Sequence, residues 1–237
     1  MNDMRLFKVT KKTCVTPELC RIWMEPADSQ PVFEFRAGQF VMVHELDDED
    51  QSLNNRSYSI ASAPYESKNA IELGIKSQGK MSGLLYSTKV GDVLGVQGPY
   101  GVFALPEQPG PVVLFAGGVG ATPVRAMARE LLHADPAAKV ALFYSGRTLA
   151  DLMYHDEYVK LAKSHPNFKY VPVVTRECPE DFAGECGRLD AAKIKRHLTE
   201  TTDVISFICG PQEFMDNAKA ILTGMGMTPK QLRTERY

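Results

Sequence analysis

The stretch Val112-Val113-Leu114-Phe115-Ala116-Gly117-Gly118-Val119-Gly120-Ala121-Thr122-Pro123 decides the fold of this chain. Its first half is a continuous apolar run, the signature of a strand buried on both faces. Its second half is a glycine-rich turn that leads straight into a helical pattern over 123–134. An open parallel sheet places a dinucleotide at such a junction. Glycine backbone can approach a pyrophosphate there, and the helix start offers free N–H groups with partial positive charge. Pro123 suits the first helical turn, where its missing N–H is not needed. The spacing departs from G-x-G-x-x-G, so a plain strand-to-helix turn is the competing reading of this loop taken alone.

Downstream, strand patterns over 140–144, 169–174 and 204–209 alternate with helical patterns over 156–164, 190–198 and 212–224. That alternation predicts a doubly wound α/β fold with a parallel sheet covered on both faces. Upstream the texture is different. Short alternating segments at 6–13, 19–25, 39–45, 56–61, 70–75 and 93–97 are separated by turns at Gly38, Gly91-Asp92 and Gly98-Pro99. This spacing predicts an all-β barrel or sandwich. A helical patch at 81–88 interrupts it, and the acidic run 47–50 reads as a solvated loop. The proline-rich segment 105–111 looks like the linker between a domain at 1–105 and a second at 110–237.

A net charge of −2 over 237 residues favours neither nucleic acid nor anionic membrane as a general partner. No apolar run approaches the roughly 18–20 residues of a membrane-spanning helix, and the polar N-terminus lacks a signal-peptide core. Cytoplasm is the expected location. The five cysteines, Cys14, Cys20, Cys178, Cys186 and Cys209, are odd in number and irregularly spaced. Neither a disulfide framework nor an iron–sulfur cluster or other metal centre is expected from them.

Two stretches of the β half carry polar residues suited to a flat, phosphorylated ligand. In Arg56-Ser57-Tyr58-Ser59 the Arg can pair with a pyrophosphate, the Tyr can stack on or edge a ring system, and a Ser hydroxyl can donate to a ring nitrogen. Strand alternation puts Arg56, Tyr58 and Ile60 on one face and Ser57 and Ser59 on the other, so a distortion is needed for one ligand to meet all of them. Further on, Leu73-Gly74-Ile75-Lys76 leads through a turn to Gly79-Lys80-Met81-Ser82, a second candidate anion site at a helix start. Two phosphate-cradling helix starts, one in each half, suggest two nucleotide-containing cofactors.

Taken in order, Arg56-Ser57-Tyr58-Ser59, Gly79-Lys80-Met81-Ser82, the loop from Gly117 to Pro123 and Cys209-Gly210-Pro211 resemble the ferredoxin–NADP reductase superfamily. The resemblance covers nearly the whole chain. It implies a two-domain fold: an N-terminal six-stranded antiparallel Greek-key β-barrel for FAD and a C-terminal doubly wound α/β domain with a five-stranded parallel sheet for NAD(P). By the same resemblance Arg56 binds the FAD phosphates, Ser57 lies within the motif, Tyr58 packs on the isoalloxazine, and Ser59 hydrogen-bonds near the flavin atom that receives hydride. Gly74, Ile75 and Lys76 line the flavin by backbone contacts, and Gly79, Lys80, Met81 and Ser82 hold its pyrophosphate. Gly118, Gly120, Thr122 and Pro123 bind the pyridine nucleotide, while Cys209, Gly210 and Pro211 sit by the nicotinamide. The ending Glu235-Arg236-Tyr237 is similar to that of plant-type reductases, which implies a proton-handling Glu235 and a Tyr237 stacked on the flavin.

Arg147, Arg176 and Arg188 follow or flank successive strands and resemble the arginines of bacterial NADPH-using members, although NADH-using relatives also carry Gly-x-Arg. The expected function is therefore an FAD-dependent NAD(P)H reductase that passes electrons to a separate acceptor such as ferredoxin or flavodoxin. A free-flavin reductase and an electron-transfer subunit of a larger complex are the alternatives.

Overall fold

The structure is a computed structural model that describes residues 3–199 and 201–236. Its first half is built from β1 (Arg5–Thr16), β2 (Leu19–Pro26), β3 (Phe40–Leu46), β4 (Ser52–Ser59), β5 (Ile71–Lys76), α1 (Lys80–Ser87) and β6 (Val93–Tyr100). The six strands form one sheet in the order β4-β3-β6-β1-β2-β5, and every neighbouring pair is antiparallel. The two end strands meet at a single bridge, Ile60 to Leu73, backed by the Ala61 N–H donating to the Glu72 carbonyl at 2.7 Å. That contact closes the sheet into a barrel. Alternation along the strands turns Phe7, Val9, Ile22, Met24, Val41 and Val43 inward, where all are fully buried. Helix α1 adds Met81 and Leu85 to this core.

The second half contains β7 (Val112–Gly117), α2 (Ala121–Ala134), β8 (Val140–Gly146), α3 (His155–Ser164), β9 (Phe168–Val174), β10 (Glu185–Cys186), α4 (Ala191–His197), β11 (Ile205–Cys209), α5 (Gln212–Gly224) and β12 (Leu232–Glu235). Its strands are all parallel, in the order β10-β9-β8-β7-β11-β12. The order reverses between β7 and β11, which opens a crevice at their carboxyl ends. Residues of β7 alternate between two cores: Leu114 and Ala116 face α2 and α3, and Val113 and Phe115 face the α4 and α5 side. The sheet is one strand wider than the five expected, because β9 gains the two-residue β10 at its edge. Strand β12 escapes sequence patterning because its four residues are half-buried or exposed, with no apolar alternation.

One expectation is corrected: Cys178 and Cys186 form a disulfide. The β9–β10 loop folds back so that Cys186 pairs in register with Val174. This brings the two Cα atoms to 5.8 Å, within disulfide range. An odd cysteine count says nothing about such a local return of the chain. Cys14, Cys20 and Cys209 are free, the last two buried.

The two sheets are joined by an apolar seam and a buried charged cluster. Arg125 of α2, 8% exposed at its side chain, lies at the centre of the cluster. It donates to the Ala61 carbonyl at 2.8 Å and to Glu66 at 3.0 Å, pairs with Glu157 at 2.8 Å, and lies 3.7 Å from Glu72. Arg21 also pairs with Glu72 at 2.6 Å, Tyr154 donates its hydroxyl to Glu72 at 3.2 Å, and Arg129 pairs with Glu66 at 2.7 Å. Burial works against the charge on Arg125, but Glu72, Glu157 and Glu66 outweigh it and hold the guanidinium above its ordinary pKa.

Candidate functional site

Beyond the Ile60–Leu73 bridge, β4 and β5 diverge, and their facing edges border a cleft of about 410 Å³. This divergence removes the alternation problem posed by Arg56-Ser57-Tyr58-Ser59. Because β4 ends the sheet beside an opening, both of its faces reach the cleft, and all four residues line it. Gly74, Lys76, Gly79 and Ser82 line the opposite wall. The second half contributes Val119 and Thr122 from the glycine loop, and Glu235 and Arg236 from the end of β12. The cleft is thus shared by both sheets.

Close packing at two glycines makes this possible. A Cβ at Gly74 would overlap the Thr122 methyl, and one at Gly120 would overlap the Cys209 carbonyl. Only glycine lets β5 lie against the glycine loop, and that loop against the end of β11. The Thr122 hydroxyl donates to the Val119 carbonyl at 2.8 Å, which holds the turn. Ser82 likewise caps its own turn by accepting from the Gln78 N–H at 3.0 Å.

The chemistry of the cleft fits a ligand with both phosphate and ring acceptors and donors. Arg56 is exposed and makes no ion pair among the described residues. The Tyr58 hydroxyl is buried without a protein partner, and burial pushes its pKa up to about 12, keeping it a donor. Glu235 Oε2 is also buried without a partner. Burial raises that carboxyl to about 7, and raises the Cys209 thiol as well, with the neighbouring Glu235 adding to the Cys209 shift. Cys209 pairs in register with Ala116 and Glu235. At 1% exposure its side chain lies beneath the cleft rather than on its wall.

A carboxyl raised in this way is neutral below about pH 7 and charged above it. The folded protein holds the proton until about pH 7, whereas the unfolded chain releases it near the ordinary value of 4.5. Native stability contributed by this proton is therefore present below 4.5 and lost as pH rises through 7. Glu235→Gln should flatten this stability decline, measured by urea denaturation across the same pH range. A break near pH 7 that survives in the variant would show that another group titrates there.

Two further cavities open at the carboxyl ends of the parallel strands. One, of about 210 Å³, is lined by Lys76, Gly117, Gly118, Arg147, Pro211 and Phe214. The other, of about 640 Å³, gathers Arg147, Arg176, Arg188, Thr175 and Phe214. The three arginines that resemble those of NADPH-using members thus share one cavity. Arg188 also pairs with Glu213 at 2.7 Å on the exposed rim.

Other sequence expectations are placed differently. The Ile75 and Met81 side chains turn into the barrel core, which leaves only their backbone to a ligand, and the Lys80 side chain is exposed with Glu45 at 3.8 Å. Pro123 is buried in α2, and Gly210 is packed against Gly117 and Phe214. Tyr237 lies outside the described residues. Phe40, Gln78, Val119 and Arg236 on the cleft wall, and Phe214 in both further cavities, are not among the residues expected from the sequence. Phe214 had a visible signal: an aromatic in the first turn of the helix after Cys209-Gly210-Pro211.

Residues 6–105 match the oxidoreductase FAD-binding domain family and residues 114–220 the oxidoreductase NAD-binding domain family. The chain belongs to the ferredoxin–NADP reductase superfamily. Within reach of this superfamily, a flavohemoprotein of Burkholderia sp. (strain TH2) is 30% identical over 98% of this chain and 59% of its own. The chain spans about three fifths of the length of the curated flavohemoproteins it matches. The superfamily fold is seen in the flavohem-like FAD/NAD-binding domain of nitric oxide dioxygenase from Vibrio cholerae O1 biovar El Tor (TM-score 0.88, 23% identity, 100% of this chain and 99% of that one). It is seen again in a ferredoxin NADP+ reductase from Neisseria gonorrhoeae with bound FAD and NADP (TM-score 0.83, 22% identity, 100% and 99%). Among the described residues no helix is long and apolar enough to cross a membrane, and no cluster of His, Cys, Asp and Glu could hold a metal ion.

Proposed function

We propose that this chain is an FAD-dependent NADPH reductase that delivers electrons to a separate acceptor protein, with an FAD-binding domain over 1–105 and an NAD(P)-binding domain over 110–237. The observation that carries this reading is the shared cleft, in which Arg56–Ser59 of the barrel face Thr122 and Glu235 of the parallel sheet. FAD held by Arg56–Ser59, Gly79 and Ser82 would supply the redox chemistry between nicotinamide and acceptor.

The protein's part is binding, orientation and proton control. Arg56 and the α1 start at Gly79 and Ser82 supply positive potential for a pyrophosphate. Tyr58 and Ser59 offer hydroxyl donors to the ring system. Gly118 and Pro211 line the entry of the nicotinamide half, and Arg147, Arg176 and Arg188 supply the charge for a 2′-phosphate. Glu235 gains and loses a proton near neutral pH beside the ring site. Ferredoxin or flavodoxin is the first acceptor class to test, and the flavohemoprotein relatives favour a haem protein as a second.

The test is direct. The purified protein should be yellow and bleach anaerobically on addition of NADPH, and a panel of ferredoxin, flavodoxin, haem protein and free flavin should identify which acceptor reoxidises it. Arg56→Ala should weaken FAD retention about 10–100-fold, the worth of one or two charge-assisted hydrogen bonds. A colourless protein that fails to take up FAD would end this reading.

A further inference from the structure

Three arms carry the arginines of the nucleotide cavity, and the backbone ties them together. Arg147 follows β8, Arg176 follows β9 and Arg188 follows β10. The Arg176 N–H donates to the Arg147 carbonyl at 2.9 Å, and the Thr175 N–H to the Gly146 carbonyl at 3.0 Å. The third arm is held to the second by the Gly187 N–H donating to the Val174 carbonyl at 2.8 Å, and by only two register pairs between β9 and β10. Glu185 anchors β10 from behind, through Arg196 and His197.

The disulfide sits where these arms need it. Cys178 is two residues beyond Arg176, and Cys186 is two residues before Arg188. One covalent bond therefore closes the loop 179–185 and joins the segments that carry two of the three cavity arginines. Cys178 is half-buried and Cys186 exposed, so a reductant can reach the bond. Without it, the Arg176 arm continues into a loop held at its far end by a two-residue edge strand.

We propose that the Cys178–Cys186 disulfide is a redox-sensitive determinant of 2′-phosphate recognition. This rests on the assignment of Arg147, Arg176 and Arg188 as the 2′-phosphate site. Closed, the bond holds Arg176 and Arg188 on one anion. A dithiol opens it by giving up two electrons and two protons: the S–S bond breaks, both sulfurs become thiols, and the dithiol is oxidised to its own disulfide. The opened loop lowers affinity for the phosphorylated nucleotide and leaves the adenosine and nicotinamide contacts in place. Preference for NADPH over NADH then falls with reduction.

The experiment is calorimetric binding of adenosine 2′,5′-bisphosphate and of 5′-AMP to the FAD-loaded protein. It compares the air-oxidised form, the form reduced with a trialkylphosphine, the reoxidised form, C178S/C186S and R176A. The oxidised protein should show no free thiol at these two positions by mass spectrometry. Reduction and C178S/C186S should each weaken the bisphosphate about tenfold, the scale of one charge-assisted hydrogen bond. Binding of 5′-AMP should stay unchanged, and reoxidation should restore the loss. If R176A weakens the bisphosphate while reduction does not, the disulfide proposal fails and the arginine assignment stands. If R176A leaves bisphosphate binding intact, the assignment fails and the proposal with it. Free thiols at both positions in the oxidised protein would also overturn it. Should C178S/C186S not fold, the reduced and reoxidised wild type decide the matter.

Discussion

Arg125→Met should lower the free energy of unfolding by about 3–5 kcal/mol, the cost of removing one partner from a buried ionic cluster. The guanidinium is the hub of groups drawn from both sheets: Ala61, Glu66 and Glu72 from the barrel side, and Glu157 from α3. Methionine fills much of the space but leaves the Ala61 carbonyl without this donor and removes the charge that balances Glu72 and Glu157. Arg21 and Arg129 remain and limit the damage, because they hold Glu72 at 2.6 Å and Glu66 at 2.7 Å. Urea denaturation monitored by tryptophan fluorescence measures the loss. Arg125→Lys should lie between the two, since one ammonium cannot meet the same fork of acceptors. A loss under 1 kcal/mol for the methionine variant would mean that the apolar seam alone joins the halves.

The second large effect is on rate. Ser59→Ala should slow anaerobic flavin reduction by NADPH about a hundredfold, with the dissociation constant of NADPH changed by no more than about twofold. The site makes this a clean substitution. Ser59 pairs with Phe40 of β3, and the next residue bridges to Leu73, so the backbone is fixed from both sides. Alanine removes a hydroxyl from the cleft wall without a change in packing volume that the strand must absorb. Stopped-flow traces that superimpose on the wild type would sink the assignment of Ser59 to the hydride step.

What was legible in the sequence follows from range. The strand, glycine loop and helix at Val112–Pro123 are local, and the apolar run and the breaker residues announce them. The short barrel strands were visible from alternation, and the motif residues Arg56–Ser59, Gly79 and Ser82 do face one cleft. The divergence of β4 from β5 was not visible, because it depends on where two strands 13 residues apart at their bridge, Ile60 and Leu73, cease to pair. The Cys178–Cys186 bond depends on a loop folding back on β9. The ionic cluster joins residues as far apart as Tyr154 and Glu72, and each of its charges, taken alone, reads as an ordinary surface residue. Phe40 and Arg236 reach the cleft only because β3 and β12 end beside it.

The charged cluster also bears on how such chains can be recombined. The barrel side supplies Arg21, Glu66 and Glu72, and the helices of the other sheet supply Arg125, Arg129 and Glu157. Neither set is neutral by itself, and each becomes so only against its own counterpart. A barrel grafted onto the nucleotide-binding half of a relative would therefore bring a buried surplus of negative charge to a surface never matched to it. The two halves look like exchangeable modules in outline, yet they are keyed to each other. Shuffling between lineages would succeed only where these six side chains travel together.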